Sequence, residues 1–168
     1  MIQLVSIVLI AVLVAVDQLI KMVVEDRLMP VGSADFIPGV IEFSYTENTG
    51  AAFSILENHT ELLSVFTLLI ILAGLAYLLS GKLKNKMLIA SAIMVIAGGT
   101  GNLIDRIFRG RELFHGYVID YIRLLFVDFA IFNFADCLVC IGAAMIIVYL
   151  IADIFKDSSD KKKGLKNG

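Results

Sequence analysis

Asp136 stands in the run Phe132-Asn133-Phe134-Ala135-Asp136, with no basic residue within several positions and a long apolar stretch after it. A lone carboxyl group costs energy in such surroundings, and an ionisable residue inside a membrane segment marks function by default. A second carboxyl group close by would share its proton. Two acids holding one proton form a general acid and a general base in one unit. The charged member can activate a water while the neutral member polarises a carbonyl, which is the machinery of aspartic proteolysis. Asp105, Asp120 and Asp128 all lie near enough along the chain to be the partner. Spacing alone does not choose among them.

Other polar groups have plainer readings. Asp17 and Lys21 are i and i+4, share a helix face and read as a structural ion pair. Asn102 reads as a helix-bridging amide, and Arg106 as either a snorkelling cation or a functional one. Gly98, Gly99 and Gly101 let a neighbouring helix approach closely. His59 and His115 read as isolated surface residues. Cys137 and Cys140 have C-x-x-C spacing, but a zinc site needs two further ligands, so they read as small apolar side chains and no metal is expected.

The elements that must carry these residues are membrane helices. Of the 168 residues, 59% are hydrophobic, against roughly 45–50% in soluble domains. The net charge of −2 argues against a strongly basic nucleic-acid binder, and no nucleic-acid partner is expected. About 20 apolar residues cross the hydrocarbon core. Such runs extend over residues 2–24, 62–79, 87–104 and 129–152. They lack the strict alternation of barrel strands and are predicted to be helices. Nothing basic precedes Asp17, so the first run reads as a retained span and not as a signal peptide.

Lysines set the orientation. Lys82, Lys84 and Lys86 lie between spans two and three, and Lys156, Lys161, Lys162, Lys163 and Lys166 follow span four. The loop over 25–61 is acidic. Excess lysine inside places both termini in the cytoplasm and the 25–61 and 105–128 loops outside. Asp17, Lys21, Asn102, Asp105, Arg106, Asn133 and Asp136 then all fall near the outer face. Within the 25–61 loop, Ile41–Thr46 alternates apolar and polar after the Pro38-Gly39 turn signal, which predicts a strand in a small surface sheet. The expected fold is an all-α membrane protein: four transmembrane helices, with a small extracytoplasmic β-sheet between the first and second. Residues 1–155 form the membrane domain, and 156–168 a disordered cytoplasmic tail.

Buried acids also suit a small transporter or a noncatalytic scaffold, but a transporter spreads polar groups along a path through the bilayer, and here span two and the inner half of span three are bare. Neither H-E-x-x-H nor G-x-S-x-G is present.

Five motifs in order give the chain a resemblance. Asp17-Gln18-Leu19-Ile20-Lys21, Asn48-Thr49-Gly50-Ala51-Ala52-Phe53, Gly98 to Arg106, Val118-Ile119-Asp120-Tyr121 and Phe132 to Asp136 resemble those of lipoprotein signal peptidase, also called signal peptidase II, over roughly residues 1–155. The resemblance implies Asp120 and Asp136 as the catalytic pair. It implies Asn48, Asn102, Arg106 and Asn133 as substrate-holding, and Asp17, Lys21, Gly50, Asp105 and Ala135 as support. It further implies an aspartic endopeptidase without metal or organic cofactor. The enzyme would act as a monomer in the bacterial cytoplasmic membrane, among membrane lipid, on lipid-modified prolipoproteins. Tyr121, where the family commonly has Phe, and Cys137, where it commonly has Ser, depart from the pattern but spare both acids.

Overall fold

The computed structural model describes residues 1–50, 60–110 and 112–164. Ala51–Phe53 of the second motif and His59 lie outside the described residues. In chain order the elements are α1 (Ile2–Arg27), β1 (Ser33–Ile37), β2 (Ile41–Asn48), α2 (Thr60–Leu79), α3 (Lys86–Phe108), β3 (Val118–Leu124) and α4 (Phe134–Gly164). All four helices are long and apolar enough to cross a membrane, as the hydropathy pattern predicts. Their lipid-facing sides are apolar, with Leu4, Ile70, Val148 and Ile154 among the exposed side chains. Ser6, Ser64, Ser91 and Thr100 each bond a carbonyl four residues back in the same helix, which satisfies the hydroxyl where water is absent.

The third helix is the centre of the bundle and packs against the other three. Ile71 and Leu78 of α2 meet Ile93, Ile96 and Leu103 of α3, with Ile10 and Leu13 of α1 beside them. Against α4 the contact is backbone to backbone. A Cβ at Gly98 would lie 2.3 Å from the Ala135 carbonyl oxygen, and one at Gly142 2.9 Å from that of Ser91. Small residues at these positions let two helices approach closely in lipid.

The sheet is three-stranded, antiparallel and ordered β1-β2-β3. Gly39, at φ +72°, makes the tight turn between the first two strands, as Pro38-Gly39 predicts. The predicted strand at Ile41–Thr46 is β2, extended to Asn48. Two features lay beyond the sequence reading. One is the third strand, which arrives from between α3 and α4. Residues 118–121 are all buried, so the alternation that marks a half-exposed strand is missing. The other is the start of α4, at Phe134 and not at residue 129. Residues 125–133 before it are not helical, and Phe132 bridges to Ile122. At its other end α4 runs on as helix to Gly164, past Lys156, where the sequence reading begins the tail. Ile119 and Tyr121 pack on Leu28, with Ile20 and Val24 of α1 beside them, so the sheet is seated on the end of the first helix.

Candidate active site

Four chain directions converge on one end of the bundle. Up-and-down connection places the C-terminal ends of α1 and α3 and the N-terminal ends of α2 and α4 together, and the sheet covers that end. Asp17 and Lys21 come from α1, Asn102, Asp105 and Arg106 from α3, Asn48 from β2, Asp120 from β3, and Asp136 from α4.

Asp136 is fixed by the way its helix begins. Asn133 caps α4: its Oδ1 accepts the Asp136 N–H at 3.0 Å, and Asp136 Oδ2 accepts the Asn133 N–H at 3.0 Å. That reciprocal pair is a capping box, with the acid at the third helical position. The positive end of the helix macrodipole lies beside the carboxylate. The signal was present in the sequence as Asn133-x-x-Asp136, and the sequence reading took neither residue as a cap. The other oxygen, Asp136 Oδ1, accepts from Asn102 Nδ2 at 2.8 Å.

Asp120 is fixed by strand pairing. It stands opposite Thr46, next to a register shift between Phe43 and Thr46, where β2 has one more residue than β3. A bulge at such a place re-aims neighbouring side chains. Asp120 is 2% exposed, and each oxygen accepts one amide donor, Oδ1 from Asn133 Nδ2 at 2.6 Å and Oδ2 from Asn48 Nδ2 at 2.8 Å. Burial pushes the Asp120 carboxyl up to about 7, helped by the charge of Asp136, while the Asn48 and Asn133 donors and Lys21 oppose the rise.

One residue therefore touches both acids: Asn133 donates its side-chain amide to Asp120 and its backbone N–H to Asp136. Both acids line a cavity of about 480 Å³ with Asn48, Asn102 and Arg106, walled by apolar residues of 129–132 and α4. A second cavity of about 400 Å³, between α2, α3 and α4, reaches the same Asn102, Arg106 and Asp136 from the other side. Arg106 is 9% exposed and donates to the Gly50 carbonyl at 3.2 Å, but its Nε has no hydrogen-bond partner among the described residues. The guanidinium is thus a buried donor held at the junction of the two cavities and is not a snorkelling cation.

Behind the acids sits a separate charged cluster. Lys21 Nζ lies 2.9 Å from Asp17 Oδ2 and 2.7 Å from Asp105 Oδ2, and all three side chains are fully buried. Arg109 pairs with Asp105 at 2.9 Å and with Glu25. The Asp17–Lys21 ion pair is present as expected, with Asp105 added to it, so Asp105 belongs to this cluster. Asp128, the third possible partner, lines a separate shallow hollow over 123–129. Ala135 is fully buried against Gly98 and Gly101. His115, read as isolated, pairs with Glu61 at the start of α2.

The geometry has close relatives. The family described as signal peptidase (SPase) II matches residues 9–152. A lipoprotein signal peptidase of Streptococcus thermophilus is 40% identical over 138 residues, covering 82% of this chain and 86% of that protein. One of Streptococcus agalactiae is 36% identical over 148 residues, covering 88% and 90%. A bacterial membrane enzyme solved at 2.3 Å resolution superposes with a TM-score of 0.78 at 30% identity, covering 89% of each chain. With the family matched across most of its length and a bundle of the same shape, this multi-pass membrane chain belongs to the signal peptidase II family.

Proposed function

We propose that the chain is an aspartic endopeptidase that removes the signal peptide from diacylglyceryl-modified prolipoproteins, cutting just before the lipidated cysteine. The observation that carries this reading is the single asparagine, Asn133, that donates to both Asp120 and Asp136 at the wall of one cavity. In the resting enzyme the shared proton sits on Asp120, in keeping with its raised carboxyl. Asp136 takes a proton from water as the oxygen attacks the scissile carbonyl, and Asp120 gives its proton to the carbonyl oxygen. The tetrahedral diol then collapses: Asp120 recovers its proton, Asp136 delivers its own to the leaving nitrogen, and the C–N bond breaks. No acyl-enzyme forms, and no cofactor takes part.

Asn48, Asn102 and Asn133 hold the acids; Asn48 and Asn102 line the path of the peptide with Arg106, and Asn133 is fully buried behind it. Arg106 Nε, without a partner among the described residues, is available to a backbone carbonyl of the substrate. The apolar wall over 129–132 and Val139 suits a lipid-linked substrate that enters sideways from the bilayer. Gly50 anchors Arg106 through its carbonyl, and its N–H bonds Asn48 Oδ1 at 2.9 Å. Lysine placement supports cytoplasmic termini and a site near the outer face, and the enzyme acts as a monomer.

The test is single-turnover cleavage of a lipid-modified precursor in heavy-oxygen water, read by mass spectrometry. Direct attack by water puts label into the new carboxyl group of the released signal peptide and leaves an unlabelled cysteine amine. A covalent peptide adduct on the enzyme, trapped by hydroxylamine, would contradict the mechanism.

A further inference from the structure

We propose that Lys21 is a positioning residue for hydrolysis: its ammonium fixes which end of the Asn102 side-chain amide faces Asp136. The inference rests on the reading of Asp120 and Asp136 as the working acids. It assigns to the charged cluster behind them a part in the chemistry beyond holding helices together.

An ammonium carries donors and no acceptor. Lys21 is fully buried, so water cannot stand between it and its neighbours. It donates to Asn102 Oδ1 at 2.8 Å. Turning the amide over would set an NH₂ group against an NH₃⁺ group, two donors face to face in low dielectric. A second donor, Asn133 Nδ2, reaches the same oxygen at 3.2 Å and would clash likewise. With its oxygen committed to these two donors, Asn102 can only aim Nδ2 at Asp136 Oδ1, where it lies at 2.8 Å. Asp17 and Asp105 hold the ammonium from behind. Gln18 bonds both of them and the Gly101 carbonyl, and Arg109 bonds Asp105, so neither carboxylate is free to swing away. Gly101 makes the close approach possible, because a Cβ there would sit 2.4 Å from Asp17 Oδ2.

The consequence concerns where the proton goes. With Nδ2 toward it, Asp136 accepts from Asn102 and from the Asn133 backbone, an arrangement suited to the charged form and to a base. With the amide reversed, an oxygen would face Asp136 Oδ1. Two acceptors in contact need a proton between them, so the shared proton would be drawn to Asp136 and the base would be lost. The charged and titratable groups around this relay are Asp17 of α1, Asp105 and Arg106 of α3, Asp120 and Tyr121 of β3, and Asp136 and Cys137 of α4. Lysine acts through a neutral amide, which transmits its orientation without pairing with the acid.

The experiment compares the full chain with Lys21→Arg and with the double variant Lys21→Met/Asp17→Asn, which removes the ammonium and one carboxylate together. Each is assayed in proteoliposomes for kcat, KM, the pH profile and thermal stability. The double variant is expected to lose about 100-fold in kcat with KM nearly unchanged, the cost of roughly 1 Å of misplacement of a catalytic group. Its alkaline limb is expected to move to higher pH, since the ammonium charge that opposes the rise of the Asp120 carboxyl has gone. Lys21→Arg, also donor-only, is expected to restore most of the rate and the original limb. If the double variant fails to insert, Lys21→Gln takes its place, because glutamine keeps an NH₂ group for Asp17 and Asp105. A folded variant with an unchanged pH limb and kcat overturns the inference while Asp136→Asn remains inactive. Cleavage by Asp136→Asn would instead bring down the reading of the acids themselves.

Discussion

Two acidic clusters lie within a few residues of one another at the same end of the bundle, and they are neutralised in opposite ways. Asp17 and Asp105 face cations: Lys21 lies against both, and Arg109 against Asp105. Asp120 and Asp136 face amides: the hydrogen bonds described for their four oxygens come from Asn48, Asn102 and Asn133. A cation beside a carboxylate favours its charged form and opposes a part in proton transfer. An amide holds the group in place with a neutral donor and leaves its charge to be settled by burial and by the other acid. On the proposed reading, the contrast separates acids that brace helices from acids that trade protons; Asp17, Asp105 and Asp120 are buried and Asp136 is half-buried.

That contrast can be broken by substitution. The largest expected effect is on the braced side. Asp105→Ala leaves Lys21 and Arg109 short of a buried partner and should cost about 3–5 kcal/mol of stability. Thermal unfolding in detergent measures it, and the fraction that remains folded should still cleave. On the amide side, Asn133→Ala removes the side-chain donor to Asp120 and the side-chain cap of α4, and keeps only the backbone N–H to Asp136. The cap accounts for only about 1 kcal/mol of stability. Loss of alignment should cost about a hundredfold in kcat, the cost of roughly 1 Å of misplacement. Gly98→Ala probes the helix contact beneath both clusters. Its new methyl meets the Ala135 carbonyl, and overpacking should cost about 1–3 kcal/mol.

Smaller effects sharpen the picture. In the proposed mechanism Asp120 acts with its proton in place, so activity should fall as pH rises through about 7. The Asn48 donor favours the charged form of Asp120; Asn48→Ala removes it, and the alkaline limb of kcat/KM should move upward. A limb that moves down would mean that the proton resides elsewhere. Glu42→Gln, which breaks the outer pair with Arg123, should change stability by less than about 1 kcal/mol and leave cleavage intact.

Much of this was legible in the chain. Four apolar runs of sufficient length announce four helices, and the lysines and acids sort to opposite ends of them. The glycines of α3 announce close neighbours: Gly98 meets α4, Gly99 faces α2, and Gly101 faces Asp17 of α1. What escaped was set by contacts between distant segments. Val118–Leu124 is buried along most of its length and carries no period of two, so only its pairing with β2 reveals a strand. Residues 129–132 are as apolar as the helix that follows them, and hydropathy cannot see that the helix waits for Asn133 to cap it. Asp105, Asp120 and Asp128 are equivalent by spacing. They separate only when α3 turns Asp105 toward Lys21 and the β3 strand turns Asp120 toward Asn133. Glu61 in the first turn of α2 meets His115 in the connection between α3 and β3, and neither carries a local sign of the other.

The most direct measurement compares four conservative variants, Asp120→Asn, Asp136→Asn, Asp17→Asn and Asp105→Asn, in one assay of precursor cleavage beside one of thermal stability. Asparagine at 136 can still accept the Asn133 N–H, so the cap and the fold survive while the base is gone. The expected result is a crossing pattern: the first pair stable and without cleavage, the second pair destabilised and active in whatever fraction remains folded. Cleavage by stable Asp120→Asn or Asp136→Asn enzyme would contradict the assignment of peptide hydrolysis to these two acids.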